Sequence, residues 1–187
     1  MSNTLVLGGA RSGKSLYAEK LAAISGKEII YIATAAAGDG EMTARIEHHR
    51  QQRPAHWITV EEPLALARAL QQWRAPQRVV LVDCLTLWLT NLLFADGSEY
   101  PDVGQLTLPA RFHQERAGLL AVLGEAQQTG DIILVSNEVG MGIVPYGAIS
   151  RAFTDEAGRL NQAVAAVCER AVFVAAGLPL VLKGAPC

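Results

Sequence analysis

The residues best suited to chemistry lie near the start of the chain, where residues 8–15 read Gly-Gly-Ala-Arg-Ser-Gly-Lys-Ser. This spacing fits the G-x-x-x-x-G-K-[ST] pattern of a phosphate-binding loop, or P-loop. Its glycines lack a Cβ, so backbone N–H groups and a helix N-terminus can approach nucleotide phosphates closely. Lys14 supplies positive charge for catalysis at the outer phosphates, and the Ser15 hydroxyl can ligate Mg²⁺. The predicted phosphate-binding residues are Gly8, Gly9, Ala10, Arg11, Ser12, Gly13, Lys14 and Ser15.

The segments on either side of this loop supply the context that the motif requires. Residues 4–7 form a short apolar run typical of a buried strand, and residues 16–23 are predicted to form a helix. The alternative is a glycine-rich turn that contains Lys-Ser by chance. Strand, loop and helix in this order favour a nucleotide site instead.

A second candidate lies at the end of a later apolar run. Residues 78–83 read Arg-Val-Val-Leu-Val-Asp, four apolar residues followed by an acid. A carboxylate at the C-terminal end of a strand can meet Mg²⁺ or its bound water. Many buried strands end in aspartate, so this pattern is informative only together with the P-loop. The two motifs predict that Ser15 and Asp83 hold the metal.

Histidines in a polar segment form a third candidate group. Residues 41–53 predict a surface helix that ends before a proline and carries His48 and His49. Imidazole keeps a lone pair near pH 7 and forms a labile bond to phosphorus. The residue types alone leave His48, His49 and His56 as competitors, or all of them as solvated side chains. Cations that could hold phosphate oxygens beside them are Arg45, Arg50 and Arg53.

The remaining elements predict how these groups are positioned. Strands are expected at residues 28–33, 57–60, 78–83, 131–136, 171–175 and 178–182. Helices are expected from Pro63 to Trp73, from Leu85 to Phe94, from about Leu108 to Gln128, and around residues 153–167. In the last helix Phe153, Ala157, Leu160, Val164 and Val167 mark the buried face, while Arg159, Asn161 and Gln162 project elsewhere. Residues 1–187 are thus predicted to form a single-domain α/β P-loop NTPase fold, with a mostly parallel central sheet and helices on both faces.

Two loops are placed to serve a site. Residues 137–145 follow a core strand, and ligands collect beyond the carboxyl ends of strands in an open α/β sheet. Glu138 and Arg159 are candidates for substrate or metal contacts there, with ordinary salt bridging as the alternative. Residues 95–105 could be a mobile lid or a long loop, and their composition slightly favours a loop.

The bulk properties exclude several classes of protein. Half of the 187 residues are apolar and 18% are charged, which argues against disorder, and a net charge of −2 gives no reason to expect a nucleic-acid partner. No secretion signal or membrane-spanning run is found. Three cysteines without metal-ligand spacing fit a reducing compartment, so a cytoplasmic location is expected. They are Cys84, Cys168 and Cys187.

Several blocks together resemble a known family. Besides the P-loop they are Tyr-Ile-Ala-Thr at 31–34, Glu-Met-Thr-Ala-Arg-Ile-Glu-His-His-Arg at 41–50, Arg-Pro-Ala-His-Trp at 53–57, Ser-Asn-Glu-Val-Gly-Met-Gly-Ile-Val-Pro at 136–145 and Ala-Gly-Arg-Leu-Asn-Gln at 157–162. In this order they are similar to the bifunctional adenosylcobinamide kinase / adenosylcobinamide-phosphate guanylyltransferases of cobalamin biosynthesis. The resemblance extends from the first strand to the last helix.

This resemblance implies two reactions in one chain. With Mg²⁺, ATP or GTP would phosphorylate adenosylcobinamide, and GTP would then donate GMP to adenosylcobinamide phosphate through a guanylyl-histidine, for which the alignment selects His48. It also implies a homotrimer. The further nucleotide contacts that it implies are Ala33, Thr34, Ala35, Arg50, Gln51, Gln52, Arg53, Glu61 or Glu62, and Asp83.

The chain departs from the family pattern in two places, and two other functions stay open. Asp83 stands where some members have glutamate, which shortens the reach to Mg²⁺, and the loop at 97–105 varies, which leaves the corrinoid contacts open. One alternative is a different P-loop kinase for a small molecule, in which His48 and His49 are merely solvated. The other is a GTP-binding switch or partner-binding subunit without enzymatic activity.

Overall fold

The computed structural model describes residues 3–35, 54–125 and 130–185. The strands in these ranges are β1 (Asn3–Gly8), β2 (Glu28–Ala33), β3 (Ile58–Glu61), β4 (Arg78–Asp83), β5 (Asp131–Asn137), β6 (Arg170–Ala175) and β7 (Leu178–Lys183). The helices are α1 (Lys14–Ile24), α2 (Leu66–Trp73), α3 (Leu85–Phe94), α4 (Ala110–Leu123) and α5 (Ala148–Val167). None of these helices is both long enough and apolar enough to cross a membrane.

The strands form one sheet in the order β3-β2-β4-β5-β1-β6-β7. All neighbouring pairs are parallel except β6 and β7, which are antiparallel. Strand β5 lies between β1 and β4, with Gly8 opposite Asn137 and Asp83 opposite Val135. The end of β1, where the P-loop begins, and the acidic end of β4 therefore lie at the same edge of the sheet, one strand apart.

The sheet is covered on both faces. Side chains such as Leu5, Ile30 and Leu134 pack with helices α2 to α5 on one face. Alternate residues of the same strands, among them Val6 and Tyr31, pack on the other face, where α1 lies. Because both faces are buried, the parallel strands read as continuous apolar runs. The predicted α/β class and mostly parallel sheet are confirmed.

Most predicted elements are present, with changes at their ends. Strand β3 is shifted by one residue, and α4 is shorter than the predicted helix at both ends, although residues 126–129 lie outside the described part. Helix α2 begins at Leu66 and not at Pro63, because Glu62 Oε1 accepts hydrogen bonds from the N–H groups of Leu64 and Ala65 at 3.0 and 2.8 Å. This carboxylate forms a turn before the helix. Residues 95–105 contain no helix or strand, as predicted for a loop.

Candidate functional site

The P-loop leaves β1 at Gly8 and enters α1 at Lys14. A Cβ on Gly8 would lie 2.4 Å from Ser12 Oγ and 2.5 Å from the Val174 carbonyl oxygen, so this position requires glycine. Gly13, the N-cap of α1, has φ 93° and ψ 5°, a left-handed conformation. The loop therefore turns sharply and directs the first N–H groups of α1 toward the space above the sheet edge, where an anion is stabilised.

Lys14 is folded back over this loop. Its side chain is buried, with 8% of the residue exposed, and Nζ donates a hydrogen bond to the Gly9 carbonyl oxygen at 3.1 Å. Burial lowers the effective dielectric constant around the ammonium group and strengthens its attraction for a phosphate. This hydrogen bond holds the ammonium group at the loop.

The last hairpin of the sheet supports the P-loop from the other side. The turn between β6 and β7 contains Ala176 and Gly177, both with positive φ. The Gly177 N–H donates to the Ser12 carbonyl oxygen at 2.8 Å. A second hydrogen bond, from the Glu138 N–H to the Gly8 carbonyl oxygen at 3.0 Å, ties the loop to the end of β5. These tethers preorganise the loop, which lowers the free-energy cost of ordering it around a ligand.

Asp83 ends β4 and is half-buried. Its Oδ2 accepts a hydrogen bond from the Tyr31 hydroxyl at 2.9 Å, which fixes the carboxylate at the strand end. Carboxylate and hydroxyl oxygens, such as those of Asp83 and Ser15, are ligands that Mg²⁺ accepts. The described residues contain no group of three or more His, Cys, Asp or Glu side chains that could hold a metal. Asp83 and Ser15 would suit a Mg²⁺ ion that is held by one carboxylate and one hydroxyl together with nucleotide phosphates and water.

Buried hydrogen bonds lock the ends of β2 and β4 together. The Thr34 hydroxyl donates to the Cys84 carbonyl oxygen at 2.7 Å and accepts from the Cys84 N–H at 2.8 Å. The Thr34 N–H donates to the Asp83 carbonyl oxygen, and Asn91 Nδ2 donates to the Thr34 carbonyl oxygen at 2.7 Å. Through these buried hydrogen bonds Thr34 holds the end of β4, and with it Asp83, in position. Its predicted contact with a nucleotide stays a prediction, as do those of Ala33 and Ala35.

A network of polar side chains that was not predicted from the sequence lies at the end of β5. Asn137 Nδ2 donates to Thr86 Oγ1 at 2.6 Å. Asn161 is buried, accepts from Ser136 Oγ at 2.6 Å and donates to the Asn137 carbonyl oxygen at 3.2 Å. The prediction that Asn161 projects away from the buried face of its helix is wrong, because this amide satisfies the polar end of β5. Its place next to Leu160 in the predicted apolar face was the available signal.

The two acidic residues after β3 differ in their surroundings. Glu61 is exposed, whereas Glu62 is half-buried and one of its oxygens accepts the two hydrogen bonds that begin α2. Glu138 accepts a hydrogen bond from the Gly140 N–H at 2.7 Å, and Arg159 forms an ion pair with Glu156. Roles for these side chains in binding substrate, nucleotide or metal stay predictions.

One part of the predicted site lies outside the described residues. It comprises the predicted histidine-bearing helix at 41–53, with His48, Arg50, Gln51, Gln52 and Arg53. The competing His56 is described and is exposed. Among the described residues, the structure therefore brings together the P-loop, Asp83 and the polar network at the end of β5.

A P-loop on β1, an acidic strand end and an intervening parallel strand define a P-loop nucleoside triphosphate-binding protein. Solved structures agree on this fold. An ATPase from the type III secretion system of pathogenic bacteria is 12% identical with a TM-score of 0.55, and covers 96% of this chain. A Pyrococcus horikoshii protein is 9% identical with a TM-score of 0.54, covering 99% of this chain and 87% of its own. The chain spans 56% of that ATPase structure.

Similar protein sequences identify the family within the class of P-loop proteins. The bifunctional adenosylcobalamin biosynthesis protein CobP of Pseudomonas aeruginosa is 58% identical over 182 residues, 97% of this chain and 98% of that protein. CobU of Escherichia coli is 43% identical over 180 residues, 96% of this chain and 98% of that protein. The model of the cobinamide kinase / cobinamide phosphate guanyltransferase family matches residues 4–182. The chain belongs to this family. It is an enzyme of cobalamin biosynthesis that phosphorylates adenosylcobinamide and guanylylates the resulting phosphate.

Proposed function

We propose that the P-loop edge of the sheet binds the nucleoside triphosphate for the phosphorylation step, with Lys14 and the loop amides neutralising the transferred phosphoryl group. Ser15 and Asp83 would hold Mg²⁺, which when bound offsets phosphate charge. The hydroxyl oxygen of the acceptor's aminopropanol arm attacks the γ-phosphorus, and the bond between this phosphorus and the oxygen that bridges it to the β-phosphorus breaks. The nucleoside diphosphate leaves with that oxygen, and the hydroxyl proton passes to water. The observation that carries this assignment is the tethered loop, held at Gly8, Gly9 and Ser12 by hydrogen bonds.

The second reaction is proposed to pass through His48. The neutral imidazole nitrogen attacks the α-phosphorus of GTP, a P–N bond forms, and pyrophosphate leaves. A phosphate oxygen of adenosylcobinamide phosphate then attacks the same phosphorus and breaks the P–N bond, which gives adenosylcobinamide-GDP. Support comes from the histidine block that the chain shares with its family and from the phosphorus chemistry of imidazole.

Several further assignments belong to the same proposal. ATP and GTP both serve as candidates for the phosphoryl donor, and the enzyme acts as a cytoplasmic homotrimer, as the resemblance implies. Residues at the carboxyl end of β2, residues 50–53 and one of the two acidic residues at the end of β3 complete the nucleotide site. These residues are Ala33, Thr34, Ala35, Arg50, Gln51, Gln52, Arg53 and one of Glu61 or Glu62.

The test is to incubate the purified enzyme with Mg²⁺ and α-labelled GTP, denature it and map the labelled peptide. We expect an acid-labile, base-stable label on His48, which His48→Ala removes while part of the phosphorylation activity is retained. Lys14→Ala should lower both activities, by about 100-fold or more, because the charge acts on the triphosphate. His113→Ala is the matched control, since His113 is exposed on α4, away from the predicted histidine block.

Two results would contradict the assignment. A label that persists in His48→Ala and disappears in His49→Ala or His56→Ala would move the nucleophile to another histidine. Absence of any label under conditions where GTP binds would exclude the covalent route and leave direct transfer between GTP and the acceptor.

A further inference from the structure

The connection between β5 and α5 exposes an unusual amount of apolar surface. Residues 139–147 contain no charged side chain. Met141 is 78% exposed, Ile143 99%, Val144 74% and Tyr146 85%. Contiguous exposed apolar residues are typical of a surface that a ligand or partner covers.

This loop is held in place by the protein. At its start the Glu138 N–H is bonded to the Gly8 carbonyl oxygen of the P-loop. At its end Arg151 Nη1 donates to the carbonyl oxygens of Pro145, at 3.3 Å, and Tyr146. These hydrogen bonds fix the backbone of the loop at both ends. Its exposed apolar side chains therefore form part of an ordered surface.

An open cavity of about 600 Å³ adjoins this loop. Small-molecule sites commonly measure about 300–1,000 Å³ and combine apolar walls with a few polar groups. The residues that line the cavity include Val144, Pro145, Arg151, Asp155, Arg159 and Gln162. Arg159 pairs with Glu156 through one nitrogen, and a guanidinium group carries five N–H donors in all. The cavity thus offers donors and acceptors beside an apolar loop.

We propose that loop 139–147 and this cavity, together named the acceptor platform, bind the corrinoid substrate. The proposal rests on the function proposed above. A corrin ring is broad, with largely apolar faces and a rim of amide arms. The apolar side chains of the loop match the face, and the amide of Gln162 and the guanidinium of Arg159 match the arms.

The position of the acceptor platform supports this choice of ligand. The bond between Glu138 and Gly8 joins the start of the loop to the start of the P-loop. A corrinoid on the platform would therefore lie beside the triphosphate, within reach of a flexible aminopropanol arm. Productive positioning of two substrates is a major source of rate enhancement.

The test uses Ile143→Ser and the matched control Ile24→Ser. Ile24 is 76% exposed at the end of α1. Since α1 begins at the P-loop, this end lies at the opposite edge of the sheet. Kinetics of phosphorylation give KM for adenosylcobinamide and for the nucleotide separately, and equilibrium dialysis measures cobinamide binding directly. We expect Ile143→Ser to raise KM and Kd for the corrinoid about tenfold, with KM for the nucleotide unchanged, and Ile24→Ser to change none of them.

Two further measurements separate the possible failures. Labelling of the enzyme by α-labelled GTP needs no corrinoid, so we expect normal labelling of Ile143→Ser. If the unmodified enzyme is not labelled, the histidine route is refuted, but the proposal for the acceptor platform is not. Corrinoid binding within twofold of normal in Ile143→Ser would overturn the platform. A lower molecular mass of this variant in analytical ultracentrifugation, together with loss of both activities, would also overturn the platform. The loop would then be an interface between copies of the chain.

Discussion

The thiol of Cys84 follows Asp83 in the chain and is buried beneath the site. Burial raises its pKa, and the negative charge of Asp83 raises it further. Burial likewise raises the pKa of Cys168 to about 12. A reactive cysteine needs a low pKa and exposure, so neither thiol has the properties of a nucleophile.

We expect both thiols to resist iodoacetamide at pH 8 in the native enzyme. A raised pKa keeps the thiol protonated at this pH, and only the thiolate reacts. Measured on a Cys187→Ser background by mass spectrometry, alkylation of Cys84 and Cys168 should be at least about tenfold slower than in urea. The raised pKa values also make stability depend on pH. Because the thiols lose their protons at a lower pH in the unfolded chain than in the folded one, the free energy of unfolding falls as the pH rises above 9. Native alkylation as fast as that in urea would show that the thiols are accessible.

Individual site residues differ in how far sequence could predict them. The P-loop and Asp83 are encoded by short local patterns whose chemistry is specific, and the structure brings them to one edge of the sheet. Asn161 and Asn91 have no such pattern, because their partners are distant in the chain: Ser136 for Asn161 and Pro63 for Asn91. A polar residue within an apolar helix face indicates a buried partner, but the sequence does not identify that partner.

Among the elements, strand β5 depends on Gly130, the residue that precedes it. Gly130 has φ 87°, and a Cβ there would lie 2.3 Å from the Ala75 carbonyl oxygen. Gly26, after α1, also has positive φ, at 67°, but apart from its chain neighbours no atom of the described residues lies within 4 Å of its Cβ position. A comparison of the two positions therefore distinguishes the cost of backbone strain from the cost of a steric clash.

We expect Gly130→Ala to lower the free energy of unfolding by about 3 kcal/mol or more, since strain and a clash with backbone add together. Gly26→Ala should cost only about 1–2 kcal/mol, from the left-handed conformation alone. Urea denaturation of both variants measures the difference. Equal losses would mean that the loop at Ala75 moves aside at little cost.

The sheet was predictable and the helix starts were less so, for a physical reason. Parallel strands buried on both faces need apolar residues at every position, which leaves a strong signal. The start of α2 depends on where the Glu62 side chain bonds, and Pro63 is equally compatible with a turn or a first helical residue. Local composition does not distinguish these two arrangements.

At the scale of the whole molecule, the preorganised P-loop should couple nucleotide binding to stability. With Mg²⁺ and a non-hydrolysable GTP analogue at about 100 times its Kd, binding adds about 2.7 kcal/mol. For a chain of this size we expect Tm to rise by about 5–10 °C. Lys14→Ala should lose most of this shift, and Lys20→Ala, a change of an exposed lysine on α1, should keep it. Equal shifts in the two variants, measured by calorimetry, would show that Lys14 contributes little to binding.

The contact between the β6–β7 turn and the P-loop sets the order in which the enzyme becomes competent. Strand β1 is synthesised before its partners in the sheet, β5 and β6, and the Gly177 N–H that supports Ser12 follows β6 in the chain. The nascent chain thus cannot complete the support of its phosphate loop until β5, β6 and the turn after β6 have been synthesised. A chain truncated before Gly177 would lose this support of the phosphate loop together with the edge strand β7.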